Sequence, residues 1–174
     1  PLNGIIGLAE ALLDGVAGQL PEGAKRDLNM VVASGRRLAS LVNDILDFSK
    51  LRHHDLELQI KPIDLATAVE VVLAVSRATI GGKDVKLSSD LSSSLPAVAA
   101  DENRIQQILY NLVGNAIKFT HEGEIKVLAK EEDECVSVTV MDTGIGIPAD
   151  RLESIFVPFE QVDGSTARKY GGTG

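Results

Sequence analysis

Tryptophan is absent from this sequence, and aromatic residues of any kind make up only 3% of it. A core built without them must be aliphatic, and the 44% hydrophobic content over 174 residues suffices for one ordinary domain, or for a small domain joined to a helical hairpin. There is a single cysteine, Cys135. That excludes an internal disulfide and a zinc–cysteine cluster, and it fits a reducing, cytoplasmic setting; the strand-like pattern around Cys135 predicts a buried side chain. No apolar run approaches the roughly 20 residues that span a bilayer, because the best candidate, AVEVVLAV, is short and carries Glu70. No membrane contact is expected of this piece. Nor is any block of Lys and Arg dense enough to offset a formal charge of -8, so nucleic acid is excluded as a partner. The opening at Pro1 without methionine and the stop at Gly174 inside a glycine cluster read as a fragment whose parent can carry an anchor upstream.

What is present falls into two parts. Ile5, Leu8, Leu12, Leu13 and Val16 recur at helical spacing from Pro1 to about Ala17, and the pattern breaks at Gly18 and Pro21. From Glu22 to about Arg52 a longer helix carries Leu28, Val31, Leu38, Leu41, Val42, Ile45, Leu46 and Phe48. Two such helices form an antiparallel hairpin too small to bury its own stripes, which predicts a homodimer through a four-helix bundle, with packing of the hairpin on its own globular neighbour as the alternative. After His53 and His54 the period changes, so the expected domains are 1–53 and 54–174. Leu56, Leu58 and Ile60 alternate with polar residues as in a half-buried strand, ended near an edge by Pro62. Asp64 then caps a helix that stops at Gly81-Gly82. A short strand over Val85–Leu87, the serine-rich turn SSDLSSSLP and a second helix cap at Asp101 follow.

The helix from Asp101 to Thr120 is the centre of the chain. Ile105, Ile108, Leu109, Leu112, Ala116 and Phe119 form one broad apolar arc, a core face. At its edge Asn111, Asn115 and Lys118 line up with Arg104 two turns earlier. Carboxamide oxygens complete a hard cation's coordination and an ammonium neutralises phosphate oxygens, so the row suits a magnesium–nucleotide complex as well as an ordinary solvated edge. His121-Glu122-Gly123 reads as a turn, followed by strands over Glu124–Lys130 and Cys135–Met141 joined through EEDE. The second ends in Asp142-Thr143-Gly144-Ile145-Gly146. There the glycines let backbone approach a planar ring while the carboxylate accepts from an exocyclic amine; the same letters equally make a turn after a strand. An aspartic protease also begins its site with D-T-G but needs a second copy, which this sequence lacks. A short helix around Asp150–Phe156 leads into VPFEQVDGSTARKYGGTG, a loop whose glycines and basic pair Arg168-Lys169 suit either an anion or a linker.

Taken in order, N-x-x-x-N-A-x-K-F-T, D-x-G-x-G, I-F-x-P-F and G-G-T-G behind a helical hairpin resemble the sensor histidine kinases, over essentially the whole chain. PLNGIIG is similar to the segment that follows the family's phospho-accepting histidine, and PFEQVDGSTARKYGGTG most resembles the hybrid kinases, which carry a further receiver domain. The resemblance implies an α+β chain: a dimerisation and phosphotransfer hairpin, half of a dimeric four-helix bundle, then a C-terminally incomplete GHKL (Bergerat-type) α/β sandwich with a mixed sheet. It implies ATP and Mg2+ as ligands, with Asn115 on the metal and Asn111 supporting metal and phosphates. By the same resemblance Lys118 contacts phosphate, Asp142 holds the adenine amine, and Gly144 and Gly146 shape the adenine pocket. Phe156 and Phe159 anchor a lid to which Arg168, Lys169, Gly171, Gly172 and Gly174 belong. The implied partner is a response regulator or a fused receiver.

Two departures matter. The related hydrolases carry a glutamate one turn before the magnesium-binding asparagine, where this chain has Asn111, and an amide cannot take a proton from water. Transfer to a better nucleophile is thereby favoured over hydrolysis. The acceptor histidine itself is not in this chain; His53, His54 and His121 read as surface residues, so no catalytic residue is assigned and the fragment alone is expected not to autophosphorylate. A dimeric scaffold that keeps the nucleotide site without phosphotransfer is the alternative.

Overall fold

Helical periodicity at the start of the chain becomes two helices in the computed structural model, α1 (Leu2–Leu13) and α2 (Glu22–Arg52). The structure describes residues 1–53, 57–92 and 94–157. Helix α1 stops earlier than its apolar pattern does, because Gly15 turns the chain at a φ of 85° and leaves Val16 outside and exposed. The two helices approach closely at Gly35, where an added Cβ would stand 2.8 Å from Ile6. An Arg36–Glu10 ion pair at 2.6 Å crosses between them, but both side chains are well exposed, so it contributes little. Among the described residues of the hairpin only Ala9 and Val32 are buried, while Leu8, Leu38, Ile45 and Leu46 stand exposed.

Pro1–Glu57 and Leu58–Gly174 are separate units. The second holds β1 (Lys61–Ile63), α3 (Leu65–Ile80), β2 (Asp84–Leu91), β3 (Val98–Ala100), α4 (Glu102–Phe119), β4 (Glu122–Glu132), β5 (Cys135–Asp142) and two short 3-10 turns, Ala149–Arg151 and Ser154–Phe156. Strand β2 lies parallel to β4 and β4 antiparallel to β5, giving a mixed three-stranded sheet; β1 and β3 make a small antiparallel pair. Returning from β2 to a parallel neighbour requires a long crossover, and α4 supplies it. Ile125, Val127 and Ala129 alternate inward along β4 against Leu65, Val69, Val72 and Leu73 of α3 and Leu109, Val113, Ala116 and Ile117 of α4. This is an all-aliphatic core of two layers, helices over sheet.

Several sequence expectations are corrected. The strand expected over 56–60 is displaced: residues 57–60 have no strand partner, Leu58 and Ile60 are exposed, and pairing begins at Lys61, with Pro62 inside it. The cause is local. The Gln59 N–H is taken by the Asp101 carboxylate at 3.0 Å, and Lys61 pairs with Glu102 at 2.7 Å. Strand β2 runs four residues beyond Leu87 into the serine-rich segment, since the parallel ladder to β4 carries Ser88, Ser89 and Asp90 along with it. For the same reason Glu122 and Gly123 belong to β4 rather than to a turn. Cys135 is exposed, because it opens β5 beside the tight turn of Asp133 and Glu134, opposite Glu132. His54 and Leu56 lie outside the described residues.

Both expected helix caps form. Asp64 accepts the amides of Ala66 and Thr67 and the Thr67 hydroxyl, and Asp101 accepts those of Asn103, Arg104 and Gln59. The Thr67 hydroxyl and amides hold the Asp64 carboxyl below its ordinary 3.8, and the Gln59 amide above all does so for Asp101. A lowered folded value means the caps contribute fully above the unfolded value and are lost as pH falls through the folded one. Asp64→Ala should therefore lower Tm at neutral pH, and its deficit against wild type should shrink as pH drops below 3.8; a deficit constant with pH in thermal melts would exclude a charged cap.

Candidate functional site

Helix α4 serves two surroundings at once. Leu109, Val113, Ala116 and Ile117 are buried, but Ile108 and Leu112, expected in the core, are 54% and 47% exposed. They flank Asn111 and Asn115, which are exposed as well and whose side chains make no hydrogen bond among the described residues. The core face is thus rotated towards Val113, and the opposite face carries two carboxamides bordered by apolar side chains. Lys118, near the C-terminal end of the row, lays its ammonium 4.8 Å over the Phe119 ring. Arg104, at the other end, donates to Gln107 at 2.7 Å within its own helix.

The D-x-G-x-G segment meets the end of this helix. The Ile145 N–H donates to the Phe119 carbonyl at 3.3 Å, and the ladder runs on past β5 through Thr143 N–H to the Glu124 carbonyl at 3.1 Å. Asp142 turns one oxygen, Oδ1, to the Gly144 N–H at 2.9 Å, which fixes its plane. Its other oxygen accepts nothing among the described residues and the side chain is exposed. Gly144 is packed so closely that an added Cβ would lie 2.7 Å from the Phe119 carbonyl, 2.8 Å from Asp142 Oδ1 and 2.9 Å from Thr120 Oγ1. Gly146 takes a φ of 70°, which other residues rarely adopt.

Thr120 was written into the motif but given no role by the sequence. It is fully buried and its hydroxyl has no partner among the described residues, an orphaned polar atom beside the fixed carboxylate. Its signal in the sequence is only that it follows the last helical residue. Thr143 was missed too; its hydroxyl accepts the Glu124 N–H at 3.0 Å and steadies the loop. Phe156 closes the second 3-10 turn. Phe159, Arg168, Lys169, Gly171, Gly172 and Gly174 lie outside the described residues.

The donor set fits a magnesium nucleotide. Carboxamide oxygens are hard ligands, and among the described residues no group of three His, Cys, Asp or Glu side chains forms a competing metal cage. Mg2+ ordinarily takes one or two protein ligands and completes its shell with phosphate and water, which is what Asn111 and Asn115 can offer. The free oxygen of Asp142 suits an exocyclic amine.

Comparison with known proteins agrees with this arrangement. Residues 1–54 match the model of the His Kinase A (phospho-acceptor) domain, and residues 100–174 that of the histidine kinase-, DNA gyrase B- and HSP90-like ATPases. The catalytic domain of the histidine kinase ThkA is similar at 30% identity and a TM-score of 0.56, over 64% of this chain and 78% of that one. The chain belongs to the histidine kinase family. Full-length ShkA, solved in complex with AMPPNP, is 35% identical with a TM-score of 0.79, over 96% of this histidine kinase chain and 36% of ShkA. The hybrid signal transduction protein dokA of Dictyostelium discoideum is 38% identical over all of this chain, which spans 11% of dokA.

Gly144 is the most confined position of the site. Gly144→Ala should cost about 1–3 kcal/mol through overpacking against the end of α4, read by urea denaturation; unchanged stability would mean the loop does not rest on Phe119 and Thr120.

Proposed function

We propose that this chain is the core of an ATP-dependent protein-histidine kinase of two-component signalling, working in the cytoplasm. One observation carries the reading: the exposed row of Asn111 and Asn115 ends where the Asp142 carboxylate, oriented by the Gly144 amide, stands beside the buried Thr120 hydroxyl. The Asp142 oxygen left open would accept the adenine amine, and Gly144 and Gly146 would give the ring its approach. Asn115 and Asn111 would hold Mg2+, which when bound neutralises charge on the phosphate oxygens. Lys118 would meet phosphate, and Phe156, Phe159, Arg168, Lys169, Gly171, Gly172 and Gly174 would form the lid.

The reaction breaks the bond between the γ-phosphorus and its bridging oxygen and forms a phosphorus–nitrogen bond on a histidine, with ADP leaving. The site contributes positioning and charge neutralisation. It offers no general base at Asn111, so water is a poor acceptor and a histidine imidazole a good one. The AMPPNP bound by ShkA supports the nucleotide assignment. Replacing Asp142 by Asn in the full-length gene product should weaken ADP binding about tenfold or more, by setting an amide nitrogen against the adenine amine. Equal affinity in a calorimetric titration would remove Asp142 from the adenine site.

We assign residues 1–53 to dimerisation and phosphotransfer, and 54–174 to ATP binding. The exposed Leu8, Leu38, Ile45 and Leu46 support a homodimer, since the hairpin leaves its apolar stripe uncovered. A response regulator or fused receiver would take the phosphoryl group; ThkA has been solved with the response regulator TrrA, and dokA is named a hybrid protein. The hairpin of residues 1–57 should sediment as a dimer and Ile45→Asp as a monomer, whereas a wild-type monomer at high micromolar concentration would refute the bundle.

A further inference from the structure

Lys83 stands between the end of α3 and the start of β2, outside every motif of the site. Its Nζ donates to three backbone carbonyls: Ile117 at 2.5 Å, Thr120 at 3.0 Å and Lys118 at 3.3 Å. An ammonium has three donors, and here each finds an oxygen. The carbonyls of Ile117 and Lys118 belong to the last turn of α4, which a helix cannot satisfy from within. Helix ends of this kind usually use a left-handed residue or water; α4 has neither need, because a lysine from a neighbouring segment caps it.

Two consequences bear on the nucleotide. The first is mechanical. Lys118 has its carbonyl bound to Lys83, and the next carbonyl, that of Phe119, receives Ile145 from the Asp142 loop. The clamp therefore fixes the backbone that carries Lys118, while the Asp142 loop is held separately through the Phe119 carbonyl. The second is electrostatic. The C-terminus of a helix carries about half a negative charge, and α4 ends next to Lys118, the residue proposed to meet phosphate. A positive charge bound to those carbonyls cancels a repulsion that a triphosphate would otherwise feel and that uncharged adenosine would not.

We infer that Lys83 is a positioning residue for the phosphates: by clamping the C-terminal turn of α4 it holds Lys118 in place and offsets the partial negative charge of the helix end beside that ammonium. This rests on the nucleotide reading above.

The test compares ATP with adenosine, each with Mg2+, by calorimetric displacement in the full-length gene product. Lys83→Met should weaken ATP about tenfold and leave adenosine within about twofold, and Lys83→Arg, which keeps charge and donors, should recover most of the loss. A loss shared equally by both ligands would reduce Lys83 to a fold-stabilising residue and overturn the inference, as would no loss at all. Should the Met variant not fold, Lys83→Gln is read instead, with the same selective loss of ATP expected and an equal loss overturning. Wild type binding neither ligand would overturn the nucleotide reading itself and this inference with it; wild type binding both, with variants unchanged, overturns only the role of Lys83.

Discussion

The hydrogen bond from the Ile145 N–H to the Phe119 carbonyl joins the two halves of the candidate site. Without it the carboxamides of α4 and the carboxylate at the end of β5 would belong to separate elements with no fixed separation. The bond is possible because α4 and β5 end at the same level of the sandwich, and that level is set by the core. Val113, Ala116 and Ile117 seat the helix, while Ile125 pairs with Asp142 on the sheet. Close packing at Gly144 then leaves no slack between loop and helix. Site geometry here is a product of aliphatic packing one layer below it.

The parts legible in the sequence were those set by local chemistry. Asp64 and Asp101 signal caps because a carboxylate ahead of an apolar period has few other uses, and both caps form. Helices α2, α3 and α4 and strand β4 follow their periods, and β5 forms where expected although its burial does not alternate. Strand β1 was misplaced because its register depends on Asp101, more than 40 residues away, and alternation alone cannot see a competing acceptor. The face of α4 was misread by one position for a similar reason: Leu112 and Val113 are equally apolar, and only the sheet decides which of them is inside. The site was legible as a set of residue types in order. Thr120 and Lys83 were not, since a buried hydroxyl and a lysine bound to carbonyls have no one-dimensional signature.

The hairpin and the second unit differ in how they are held together. The latter has a continuous buried cluster, whereas the former buries only Ala9 and Val32 among its described residues and leaves large aliphatic side chains in water. Such a stripe is unfavourable for a lone hairpin and natural for one face of a bundle. The ion pair between Arg36 and Glu10 cannot substitute for that burial, because exposed pairs contribute little.

Cys135 lies at the far end of the β4–β5 hairpin from Asp142, seven residues along the strand and about 24 Å away at the usual rise. Being exposed, solitary and outside the core, this thiol is a ready attachment point for a single fluorophore or spin label. A probe there would report on the rotation of the sheet-bearing unit while leaving the chemistry at its other end undisturbed, so the molecule carries its own coordinate for following motion.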